Sequence, residues 1–297
     1  LTSFEAALNG EIGAEELRAA FWFHLGGQSF PKARLARTLW LRGFVQRGLQ
    51  SAMATLEEAQ ARNHKFSMCL ALTEAVCPLH LMAGNLSEAS RCIAMLDELA
   101  EGSIFGGFAH YLRGSLLVKS GNHAEGLRVL RAARDHSGRL TGKEGRTSII
   151  IDFTTPQGSG FLLNFAEALV GIGDVAAAIA LIDTEISQAR LEGLLWHVPE
   201  LLRLKGEVLA GQKHDTAALD AEQCLLEAIE ISKQQGALYW QLRAATTLLR
   251  LQVKPNKGKD ARALLAAVCE DYAGEPTFLD LETARALLNG SPRTTTR

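Results

Sequence analysis

The segment Tyr111-Leu-Arg-Gly114-Ser-Leu-Leu-Val-Lys-Ser-Gly121-Asn-His-Ala-Glu-Gly126-Leu-Arg-Val-Leu-Arg-Ala-Ala133 decides the fold. Two apolar runs of helical character flank Gly121-Asn122. Such a Gly ends a helix in the left-handed conformation that only Gly or Asn adopts cheaply. Small residues stand seven before the turn Gly, at Gly114, five after it, at Gly126, and twelve after it, at Ala133. Where two antiparallel helices meet either side of a short turn, a small side chain on each lets the backbones approach, and larger apolar groups pack beyond them. The segment therefore predicts a helical hairpin.

Working outward, the same turn recurs at Gly43, Gly84-Asn85 and Gly173-Asp174, in steps of 41, 37 and 52 residues. The small positions recur with it, as Ala36, Cys77 and Ala166 before the turn and Gly48, Ala89 and Ala178 after it. The third small position is weaker in these copies, with Thr55, Leu96 and Glu185. Two further copies have altered turns. In one, Gly206 is followed by Ala221, Leu225 and Ala228 across a longer polar loop, Gln212–Thr216; in the other, Lys254–Gly258 precedes Ala261 and Leu265. A period of 30–50 residues signals a repeat architecture.

The expected fold is all-α: a right-handed, superhelical solenoid of tetratricopeptide-like hairpins. About six hairpins occupy 30–272. Residues 1–29 form an N-terminal helical extension with one helix at Ala14–Leu25. Residues 273–290 hold a capping helix, about Thr277–Leu288, because a solenoid end must cover its last apolar face; 291–297 are a disordered tail. The Gly- and Thr-rich Gly138–Gly160, with its β-like Ile149-Ile150-Ile151, reads either as an ordered loop over the groove or as an insertion with fraying helix ends.

Composition narrows the function. Hydrophobic residues make up 47% of the chain and aromatics only 6%, the apolar content resting on Leu and Ala, as a helical repeat needs. Thirty-one basic against 33 acidic residues, with no basic stripe, argue against direct nucleic-acid binding by this segment. Five cysteines without a CxxC pair read as buried small apolar groups in a reducing cytosol, so a cytoplasmic location is expected. No apolar run is long enough for a membrane span, and the absence of an initial Met suggests a segment of a longer protein.

Catalytic motifs do not emerge. Gly138 with Thr141-Gly142-Lys143-Glu144 has three residues between its glycines where a phosphate loop needs four, and Glu where it needs Ser or Thr. Cys77 and His80 share a helix near Cys69 and Cys92, but without paired-ligand spacing they read as packing residues. The expectation is a non-enzyme with no cofactor and no metal. The first helix of each hairpin lines the concave side, so its polar and aromatic residues are the binding candidates. These are Arg37, Trp40, Glu74, Tyr111, Ser115, Lys119, Glu167, Trp196, His197, Glu200, Arg203, Tyr239 and Trp240. Against this, Trp40 and Trp240 also suit a core, and Glu200 with Arg203 also suits a simple i,i+3 pair.

Longer runs carry a family resemblance. Val198–Leu209, Ala221–Ile231 and Gln235–Leu251, with Ala36–Phe44, Tyr111–Gly114, Ala261–Ala266 and Leu279–Leu288, include exposed residues that hairpin packing does not demand. They resemble the C-terminal tetratricopeptide region of bacterial predicted ATPases fused to winged-helix transcriptional-regulator or adenylate-cyclase domains, the signal-transduction ATPases with numerous domains. The chain departs from that pattern at Gly138–Gly160 and at Asp271–Phe278. The resemblance implies a sensor or scaffold arm that binds a protein, peptide or small-molecule signal on its concave face, or packs on the upstream ATPase module of the same polypeptide. The alternative is a pure assembly module, a homodimer for instance, with no small ligand.

Overall fold

The computed structural model describes residues 27–103, 105–141, 156–212, 216–251 and 258–290. The expectations for Ala14–Leu25, Ile149–Ile151, Lys254–Lys257 and 291–297 lie outside these residues. Every regular element among the described residues is helical: α1 (Ser29–Leu41), α2 (Val45–Ala61), α3 (Lys65–Ala71), a π-helical turn (Leu72–Val76), α4 (Cys77–Met82), α5 (Leu86–Ala100), α6 (Gly106–Lys119) and α7 (His123–Thr141). Then follow α8 (Pro156–Gly171), α9 (Val175–Glu192), a 3-10 turn (Leu195–His197), α10 (Val198–Ala210), α11 (Ala217–Gln235), α12 (Leu238–Leu251), α13 (Gly258–Glu270) and α14 (Leu279–Leu288). Gly138 and Gly160 thus fall within the ends of α7 and α8, and the capping helix begins two residues later than expected.

The repeated turn is one structure used four times. Gly43, Gly84, Gly121 and Gly173 have φ of 97°, 73°, 83° and 84°. Behind each, the next amide donates to the carbonyl five residues back: Phe44 to Leu39, Asn85 to His80, Asn122 to Leu117 and Asp174 to Leu169, all at 2.9 Å. This closes the orphan carbonyls of the first helix. The small residues lie where the helices touch. A Cβ at Gly126 would stand 3.1 Å from the Gly114 carbonyl oxygen, one at Gly48 would stand 2.9 Å from that of Ala36, and one at Gly206 would stand 3.0 Å from that of Ala221. Ala36, Cys77, Ala89, Ala166 and Ala178 are fully buried.

The second hairpin carries an irregularity with a local cause. Pro78 has no amide to bond the carbonyl four residues back, and its ring would crowd that carbonyl. The helix widens ahead of it: Cys77 donates to Leu72, five residues back, within the π-turn that holds Glu74.

Each first helix packs on both helices of the preceding hairpin: α3 on α1 and α2, α6 on α4 and α5, α8 on α6 and α7, α10 on α8 and α9, α12 on α10 and α11. The capping helix α14 covers α12 and α13. The array also meets its own beginning, because α12 packs against α1. The rings of Trp40 and Tyr239 lie 5.3 Å apart, edge to face. The Tyr239 hydroxyl donates to Asp280 Oδ2 at 2.7 Å and lies 3.2 Å from the Met82 carbonyl oxygen. The Gly43 turn sits on Leu238 and Tyr272, and the Gly84 turn on Leu279. Contacts in the array are therefore not confined to neighbouring hairpins. An apolar residue at the turn of an early hairpin and a polar ring on the last one find partners across the array, and the concave side becomes an enclosure.

Candidate functional site

That enclosure is a cavity of about 260 Å³, with wall residues from all six first helices and from α14. The volume lies just below the range of ~300–1,000 Å³ typical of pockets for drug-sized ligands. Eight of the residues expected on the concave face reach the wall: Arg37 from α1, Tyr111 and Lys119 from α6, Glu167 from α8, Trp196 from the 3-10 turn, Glu200 from α10, and Tyr239 and Trp240 from α12. Residues spread along most of the chain are thus brought to one place.

Five do not reach it, each for a visible reason. Trp40 is fully buried in the seam against Tyr239, so its packing role prevails. Ser115 is fully buried, and its hydroxyl donates back to the Tyr111 carbonyl at 3.0 Å. His197 is buried with Nε2 3.0 Å from Glu185 Oε1, on the side of α9. Glu74 is buried in the π-turn, 3.4 Å from Arg34 Nε. Arg203 stands behind Glu200, with Nε donating to Glu200 Oε1 at 3.0 Å and Nη1 to Glu207 Oε2 at 2.6 Å.

The wall has two polar centres. In the first, Arg243 Nη2 donates to Glu200 Oε1 at 2.9 Å, and its Nη1 reaches Asp280 Oδ2 at 3.4 Å. Burial opposes charge on both Arg243 and Glu200, but the opposed charges outweigh it. The Arg243 guanidinium is held protonated more firmly than an ordinary arginine, and the flanking Arg203 and Arg243 hold the Glu200 carboxyl below the usual range. Glu200 therefore stays ionised at neutral pH, which suits an anchor and not a general acid. In the second centre, Lys119 Nζ donates to both oxygens of Glu167, at 2.6 and 2.7 Å, and Asn164 Nδ2 donates to the Tyr111 hydroxyl at 3.1 Å. Burial pushes the Tyr111 hydroxyl pKa up, so it stays protonated.

Aromatic groups frame the rest. The Arg37 guanidinium lies over the Trp196 ring, 5.3 Å from its centroid. Burial pushes its pKa down to about 10, with Glu74 pulling the other way. Trp240 donates from its indole to the Trp196 carbonyl at 3.1 Å, which ties α12 to the 3-10 turn. Leu41, Leu81, Met82, Phe108, Leu112 and Leu279 supply most of the apolar wall.

Sequence reasoning missed Arg243, Asp280 and Asn164. Arg243 lies one turn after Tyr239 and Asn164 lies three residues before Glu167, so helical spacing from a candidate already in hand points to both. Asp280 gives no such signal. It belongs to the capping helix and meets the cavity only through the closure of the array.

Cys77 is buried, and burial pushes its thiol pKa well up; that of Cys69 rises to about 11 for the same reason. Among the described residues no three His, Cys, Asp or Glu side chains are grouped so as to hold a metal ion, and no helix is long and apolar enough to cross a membrane. No protein-family model matches the chain, and no curated protein matches it in sequence.

Proposed function

We propose that this chain is a non-catalytic, tetratricopeptide-like sensor domain that takes a small-molecule signal in the cavity enclosed by its first helices. In this reading the hairpins form a right-handed superhelix of about one turn, and the domain is the cytoplasmic sensing arm of a bacterial signal-transduction ATPase or transcriptional regulator. The observation that carries the reading is the convergence of eight concave-face residues on one cavity walled by every first helix and by α14. A ligand there touches hairpins far apart in sequence, so its binding favours the closed array over any opened one by its differential affinity for the two. The upstream ATPase module of the same polypeptide is the partner that such a shift would address.

Native mass spectrometry of the gently purified chain, compared with its denatured mass, tests this. A discrete added mass that disappears on denaturation is expected. A monomer or dimer without adduct, and with no thermal shift across a metabolite panel, would replace the sensor with an assembly module.

A further inference from the structure

The charged side chains on the cavity wall are matched to one another. Among the described residues three cations line it, Arg37, Lys119 and Arg243, and three carboxylates, Glu167, Glu200 and Asp280. Each is already engaged within the protein. Lys119 Nζ donates to both oxygens of Glu167, and Arg243 spans Glu200 at 2.9 Å and Asp280 at 3.4 Å. Glu200 takes a further bond from Arg203, and Asp280 one from the Tyr239 hydroxyl. Arg37 is likewise occupied, its guanidinium over the Trp196 ring and under the pull of Glu74. The two polar centres also reinforce each other, Lys119 acting on Glu200 and Glu167 on Arg243. An ionic guest would give up its hydration and, among the described residues, meet no wall charge that is not already matched. The wall is otherwise chiefly apolar, with Leu41, Met82, Phe108, Leu112 and Leu279 brought to it from α1, α4, α6 and α14.

We propose that the cavity takes a small, uncharged and chiefly apolar molecule, its body against Leu41, Met82, Phe108, Leu112 and Leu279, and that the paired charges of the wall discriminate against organic acids and amines of the same size. The inference rests on the cavity being a ligand site. It adds the charge state of what enters. An apolar body gains by leaving water for such a wall and loses no ionic hydration. An acid or an amine must either enter without a counter-charge or break a pair such as Lys119–Glu167.

Three probes with one body and different heads separate the possibilities: phenylbutanol, phenylbutyrate and phenylbutylamine, each titrated at neutral pH into the intact chain by calorimetry. Phenylbutanol is expected to bind roughly tenfold or more tightly than either ion. Glu167→Gln leaves Lys119 without its carboxylate and should turn the preference toward phenylbutyrate; Lys119→Met leaves Glu167 unpaired and should turn it toward phenylbutylamine. An unchanged ranking in both folded variants would remove this pair as the cause of the selectivity. Equal or tighter binding of either ion to the unaltered chain would overturn the neutral assignment while leaving a ligand cavity in place. If none of the three binds, the molecule carried in the native mass decides: one with a carboxyl, phosphate or amine overturns the neutral assignment, an uncharged one upholds it, and no adduct at all overturns the cavity as well. The charge series on the unaltered chain stands even if neither variant folds.

Discussion

The hairpin interfaces and the seam between α12 and α1 are both helix contacts, yet they are built differently. Within a hairpin, backbones approach through small residues at fixed offsets from a left-handed Gly, as Gly114 and Gly126 do, and the same solution recurs along the chain. At the seam Trp40 meets Tyr239, and beside it individual polar groups join α12 to other helices: Tyr239 to Asp280 and Met82, Arg243 to Glu200 and Asp280. The hairpins are thus specified by spacing, which a local pattern can carry. The seam is specified by identity at positions with no common spacing, and the cavity exists because of it.

The largest effect should come from the ion network beside the seam. Glu200→Ala leaves Arg203 and Arg243 without their shared carboxylate in a buried site, and should cost about 3–5 kcal/mol in denaturant unfolding. The pH dependence follows from the direction of its shift. A carboxyl held below its ordinary pKa contributes stability that is present in full above about pH 4.5 and is lost as pH falls through the lower folded value. Glu200→Gln should therefore flatten the acid limb of the stability profile. An unchanged acid limb would remove the ion network from the account of the seam.

A sharper comparison uses one substitution at two equivalent turns. Gly121→Ala meets only the backbone strain of a left-handed residue, since a Cβ there has no neighbour within 4 Å, and should cost about 1 kcal/mol. Gly43→Ala meets the same strain and in addition lies against Leu238 and Tyr272 across the seam, and should cost roughly 2–3 kcal/mol. Equal losses at the two turns would mean that the seam does not bear on stability.

Tyr239→Phe removes the hydroxyl that joins α12 to Met82 and Asp280 without changing ring packing. A loss of about 1–2 kcal/mol is expected, with the far-ultraviolet circular dichroism unaltered. On the outer face, Glu125→Ala breaks an exposed i,i+3 pair with Arg128, and the melting temperature should not move measurably. A larger shift there than at Tyr239 would reverse the proposed contrast between the two regions.

Much of the architecture was legible because its causes are local. The Gly turns, the small offsets and the apolar runs of the second helices, such as Ala89, Cys92, Ile93 and Leu96 on α5, each depend on residues within one or two helical turns. The π-turn was not anticipated, although Pro78 supplies its cause. Of the thirteen residues expected on the concave face, eight line the cavity and five do not. Helical phase assigns a side chain to a face, but it does not say how far a neighbouring helix covers that face. Glu200 and Arg203, three residues apart, show this: the first reaches the wall and the second is held behind it by Glu207.

The sequence by itself determined an all-helical chain of hairpins and where each turns, since these follow from backbone conformation and short-range packing. Only the tertiary structure decided that the first and last hairpins touch, that Asp280 and Arg243 join the site, and that the groove is a cavity. The contacts of α12 with α1 and of Leu279 with the Gly84 turn join residues far apart in sequence, so no single repeat encodes them.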